Sequence, residues 1–103
     1  MDIEQLRFLC NDEKIKWTLH ALKRIRERKI KSSDVIGCIK NGRIIEEYPD
    51  DRPFPSCLIC GTMKDNYLHA VVSTDGSEIT IITAYIPDAD EWENDYTTRK
   101  AAE

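Results

Sequence analysis

The period of the apolar residues changes at Gly42, and that change dictates the kind of fold open to this chain. Before it, apolar residues recur every three to four positions, as on one helix face: Ile3, Leu6, Leu9 and Cys10; Leu19, Leu22, Ile25 and Ile30; Val35, Ile36, Cys38 and Ile39. After it, they come in short runs bounded by turn signals: RIIEEY, SCLICGTM, YLHAVVST and SEITIITAYIP. Asp75-Gly76 is a strong hairpin signal between the last two. Helices grouped ahead of strands on short turns predict an α+β fold, with N-terminal helices packed on one face of a four-stranded antiparallel sheet.

Boundaries follow from capping chemistry. Asp2 and Thr18 are expected N-caps, Ser32 or Ser33 is expected to cap the third helix, and Gly42 to stop it. KIKW, residues 14–17, alternates and reads as extended. A helical wheel centred on Leu19, Leu22, Ile25 and Ile30 leaves Arg26 as a misfit among them. The tail from Pro87 reads as an acidic loop anchored by Trp92 and mobile after Tyr96. At 103 residues the expected organisation is one domain. Residues 1–43 are helical and basic from 14, 44–87 form the sheet, and 88–103 the acidic tail.

The net charge of -4 excludes a generally basic coat protein, but it hides a segregation. Residues 14–43 hold ten Lys/Arg and two acids, whereas residues 44–103 hold four Lys/Arg and thirteen acids. Such a split has two readings: a polyanion-binding face, or basic helices neutralised by acidic strands. A third expectation is that the acidic tail shields the basic face. No apolar run approaches a membrane span and no leader stands at the N-terminus, so the expectation is a cytoplasmic protein with no membrane partner. Cys57 and Cys60 form a CxxC, but Leu-Ile between them favours a strand, on which positions three apart face opposite sides. The four cysteines are expected as buried thiols. No metal or other cofactor is expected.

His20, Arg24 and Arg28 follow at i, i+4 and i+8 and share a helix face bordering Ala21. Histidine titrates near neutrality, and the arginine fork suits phosphate oxygens. Lys16, Lys23 and Lys31 extend the same basic stretch as candidate nucleic-acid contacts, though Trp17 is its only aromatic. Thr83 and Tyr85, two apart on the last strand, face one side. His69, in the apolar YLHAVV, reads as a core or edge histidine.

T-x-HA-x-x-R-x-x-E-R at 18–28, then SSDVIGCIKNGRIIEEYPDDRPFPSCLI and ITAYIPDADEW, resembles a bacterial and archaeal family called domain of unknown function 4258, over Asp2 to Arg99. The chain departs from the family's pattern at Arg26 and Cys60. The resemblance implies a RelE/ParE-like toxin fold and a place in a toxin–antitoxin module. It also implies a partner antitoxin, of zinc-finger or helix-turn-helix type. In that superfold some members cleave RNA or ribosome-bound mRNA without metal, while others act by binding a protein such as gyrase. Metal-independent cleavage needs a base, an acid and cations on the phosphorane. The expected catalytic set is His20, Arg24, Thr83 and Tyr85, with Lys16, Lys23, Arg28 and Lys31 binding RNA. The alternative is a non-catalytic module that grips nucleic acid or protein through the same helices.

Overall fold

The computed structural model describes residues 1–101. The elements run α1 (Ile3–Asn11), β1 (Ile15–Trp17), α2 (Leu19–Glu27), α3 (Ser32–Asn41), β2 (Arg43–Tyr48), β3 (Ser56–Met63), β4 (Asn66–Thr74) and β5 (Ile79–Tyr85). The protein is α+β, and the periodicity change at Gly42 marks the passage from the last helix to β2. Asp2 caps α1 through a bond from the Glu4 N–H, and the Thr18 hydroxyl caps α2 by accepting from the Ala21 N–H at 2.9 Å. The third cap differs from expectation. Lys31 is the N-cap, and the Asp34 carboxylate accepts from its backbone N–H, so both serines lie inside the helix.

The sheet has five strands in the order β1-β5-β4-β3-β2 and is mixed, not a four-stranded antiparallel sheet. β2 to β5 form the expected antiparallel meander. The addition is KIKW. Ile15, Lys16 and Trp17 pair in parallel with Ile79, Thr80 and Ile81, and the Ile79 N–H donates to the Lys14 carbonyl. Three residues carry almost no periodic signal, and the partner strand lies far along the sequence. A parallel neighbour needs a crossover, here supplied by the helices and the rest of the meander.

The helices cover one face. α3 packs on β3 and β4, α2 on β5, and α1 on α3. Their shared core includes Leu6, Ile25, Ile39, Ile59, Val72 and Ile81. α2 is rotated from the wheel drawn above: Ala21 and Ile25 are buried, while Leu19 and Leu22 are 86% and 40% exposed. The reason is steric. Ala21, with no side chain beyond Cβ, lets the helix approach β5 more closely than a leucine would. The rotation resolves the Arg26 misfit, since that arginine now faces solvent.

The opposite sheet face carries a smaller buried group: Leu58, Cys60 and His69 under Trp92. The tail lies over it. Trp92 is 2% exposed, as an anchor should be. The described tail does not trail off after Tyr96, and residues 102–103 of the expected mobile end lie outside the described residues. Trp92 pairs with Arg99 in an isolated bridge, and the Arg99 guanidinium stacks 4.6 Å from the Trp92 ring while bonding Glu46 at 2.6 Å and 3.0 Å. The tail's contacts to His69, Tyr67, Arg43 and Glu46 place it on the face away from α2, so it does not shield the basic helix.

Candidate nucleic-acid interface

α2 sets out its charges by where its buried side falls. With Ala21 and Ile25 against the sheet, Lys23 and Arg26 point outward beside Leu19, while Arg24 and Arg28 run along the flank that borders β5. β1 covers β5 only as far as Ile81. Past that point no strand among the described residues lies along that edge of β5, and Arg28 fills the gap. Its guanidinium donates to the Ala84 carbonyl at 2.8 Å and to the Thr83 hydroxyl at 3.1 Å. The helix face and the last strand therefore meet at Arg28 and Thr83.

The remaining sequence-derived candidates are distributed as follows. His20 is exposed and makes no hydrogen bond to the described residues. Arg24 pairs with Glu27 one turn on, at 3.0 Å. Lys23 and Lys31 are exposed. Lys16 projects from β1 on the face away from the core, since Ile15 and Trp17 on either side of it pack inward. Tyr85 lies on that outer face too, paired with His69, and their rings are 5.4 Å apart at a steep angle. Burial pushes the Tyr85 phenol above its ordinary value. None of His20, Arg24, Thr83 or Tyr85 lines any of four clefts of about 210–420 Å3 on the described surface.

The two readings of the charge split can now be compared. Among the described residues the ion pairs are the N-terminus with Glu47, Arg7 with Glu4, Arg24 with Glu27, and Arg99 with Glu46. Of the ten basic residues between Lys14 and Arg43, only Arg24 has a carboxylate partner, and that partner lies on its own helix. Among the described residues, no carboxylate of the strands or tail makes an ion pair with the basic segment.

Two groupings escaped the sequence. One is a cleft of about 410 Å3 over the β1–β5 end of the sheet, where Lys16, Thr80, Ile82 and Ser73 meet Arg52 and Phe54 of the β2–β3 loop. Phe54 between two prolines, an aromatic in a polar loop, was the available signal. The other is the covered outer face. His69 is 0% exposed, and its Nε2–H donates to the Tyr96 carbonyl at 2.7 Å, while buried Nδ1 has no partner. Burial is the main reason its imidazole sits below the ordinary value. The Trp92 ring meets it edge-on at 4.6 Å. This is a core histidine.

The cysteines behave as thiols of a strand and a helix. Cys57 joins the helix-side core and Cys60 the other face, so the CxxC sulfurs diverge. All four are buried and free, and burial pushes Cys38 and Cys57 up to about 12.

A family model described as Domain of unknown function (DUF4258) matches residues 17–86. The match runs from the end of β1 to just past β5. It leaves α1 and the tail outside, so it is narrower than the resemblance drawn from Asp2 to Arg99. No curated protein and no solved structure matches the chain.

Proposed function

Given that the chain belongs to the DUF4258 family, we propose that it is an RNA-binding protein that grips phosphates through α2 and the flanking lysines. One observation carries this reading: among the described residues, the basic segment is left without carboxylate partners except at Arg24. Uncompensated cations on a rigid helix are the electrostatic footprint of a polyanion site. Lys16, Lys23, Arg26, Lys29 and Lys31 are the contacts, and Arg28 is the brace that fixes α2 on β5. The RelE/ParE-like fold and the toxin setting accompany this reading as proposals. So does a covering antitoxin, for which exposed Leu19 and Leu22 beside Lys23 and Arg26 supply an apolar and basic surface.

Cleavage is the second reading, and the meeting of Arg28 with Thr83 favours it. It brings the His20 face of α2 alongside the late strand, where a scissile phosphate would have His20 take the 2′-hydroxyl proton, Arg24 as cation, and solvent water protonate the leaving 5′-oxygen. Tyr85 lies across the sheet against His69 and takes no part in this version. The test measures binding and cleavage of labelled single-stranded RNA in chelator-containing buffer. Lys23→Glu with Arg26→Glu weakens binding sharply at low salt. His20→Ala leaves binding intact and stops any cleavage. Equal binding by the charge-reversed variant overturns the interface, and equal cleavage by His20→Ala overturns the second reading alone.

A further inference from the structure

The cleft between the β2–β3 loop and the β1–β5 end of the sheet has what α2 lacks, an accessible aromatic next to free cations. Phe54 is 45% exposed. Exposed Ile82 lines the same cleft, together with Thr80 and Ser73. Lys16 and Arg52 stand at the cleft from two different elements, and neither has a carboxylate partner among the described residues. The one acidic lining residue, Asp51, accepts the Ser56 hydroxyl. The cleft also reaches Thr18, the N-cap of α2, so its edge adjoins the start of the basic helix.

Resting on the RNA-binding reading above, we propose that this cleft is a subsite for one unpaired nucleotide of a single strand. The base stacks on Phe54 over Ile82, the Thr80 and Ser73 hydroxyls reach its edge, and Lys16 and Arg52 hold the flanking phosphates. An aromatic face between cations is sequence-tolerant, because every base has a π-face to stack. It also discriminates against duplex, whose bases are already stacked and paired. The strand then runs from the cleft along Lys16 onto α2. The aromatic missing from the basic stretch is contributed by a loop outside it.

The test is fluorescence anisotropy with a labelled oligouridylate of about ten nucleotides, and with an RNA duplex of equal length. Phe54→Ala should weaken single-strand binding by about tenfold and leave duplex binding unchanged, and Phe54→Trp should restore it. Arg52→Ala, which leaves the aromatic in place, should flatten the salt dependence of single-strand binding by about 0.7 in log–log slope. Unchanged single-strand affinity in both Phe54→Ala and Arg52→Ala, with loss in Lys23→Glu/Arg26→Glu, overturns the subsite and leaves the basic interface standing. Failure of the wild-type protein to bind either RNA at low salt overturns the interface and the subsite together.

Discussion

Arg28 closes a gap that no strand fills, and its loss should be felt in stability. It offers a charge-assisted donor to a carbonyl on an unpaired strand edge, together with a bond to the Thr83 hydroxyl. Arg28→Ala should cost about 1 kcal/mol in urea unfolding, and Thr83→Val less than half as much, because the Ala84 carbonyl keeps its donor. His69 makes a pH-dependent contribution. Burial holds its imidazole below the ordinary 6.5, so the unfolded chain takes up the proton more readily than the folded one. The stability it confers is complete above about pH 6.5 and is lost as pH falls below that toward the folded value. His69→Gln should flatten that stretch of the stability curve, and an unchanged slope would remove His69 as its source. The sequence disclosed part of this. The i, i+4, i+8 spacing placed Arg28 on the face bordering Ala21, and the apolar surroundings of His69 pointed to the core. Which strand Arg28 reaches depends on how far β1 extends along β5, and spacing alone does not contain that length.

α3 and β3 approach each other at backbone distance, and two glycines permit it. A Cβ on Gly61 would sit 2.6 Å from the Cys38 carbonyl oxygen and 2.8 Å from the Cys38 Cα, and one on Gly42 would meet the Cys38 and Cys60 carbonyls at 2.5 Å. Gly61→Ala should therefore destabilise by about 2 kcal/mol. Gly37→Ala, in the middle of the same helix with nothing within 4 Å, should stabilise by up to about 1 kcal/mol. Thermal unfolding of the pair checks the contrast, and equal shifts would contradict it. The long elements were legible because each carries several periods of its pattern, and the caps of α1 and α2 because Asp2 and Thr18 have one obvious use. β1 was legible as extended but not as a sheet member. The rotation of α2 was hidden because Leu19 and Leu22 look like core; what decided it was Ala21, whose value lies in the space it leaves. The Phe54 cleft stayed hidden because its residues come from β1, β4, β5 and a loop.

The molecule keeps its acidic tail and its basic helix α2 on opposite sides of the sheet. The acidic tail is spent on the outer sheet face, where Trp92 and Arg99 lock it over His69 and Glu46. α2 lies on the other side of the sheet, and among the described residues only its Arg24 has a carboxylate partner, which is why the small net charge of -4 says little about partners. A face of this kind costs self-repulsion in the free protein and gains when counterions leave a bound polyanion. Removing the tail, Trp92 included, should expose His69 and the outer sheet face without uncovering α2, so its effect should fall on stability and not on RNA affinity at low salt. The claim that α2 and its flanking lysines are a phosphate-binding face is tested most directly by the salt dependence of single-stranded RNA affinity. The wild-type protein should give a log–log slope of about -2 or steeper, the value for three or more neutralised phosphates, and Lys23→Glu/Arg26→Glu should flatten it by about 1.4 or more. A wild-type slope already near zero, or one that the charge reversal leaves unchanged, would contradict the account.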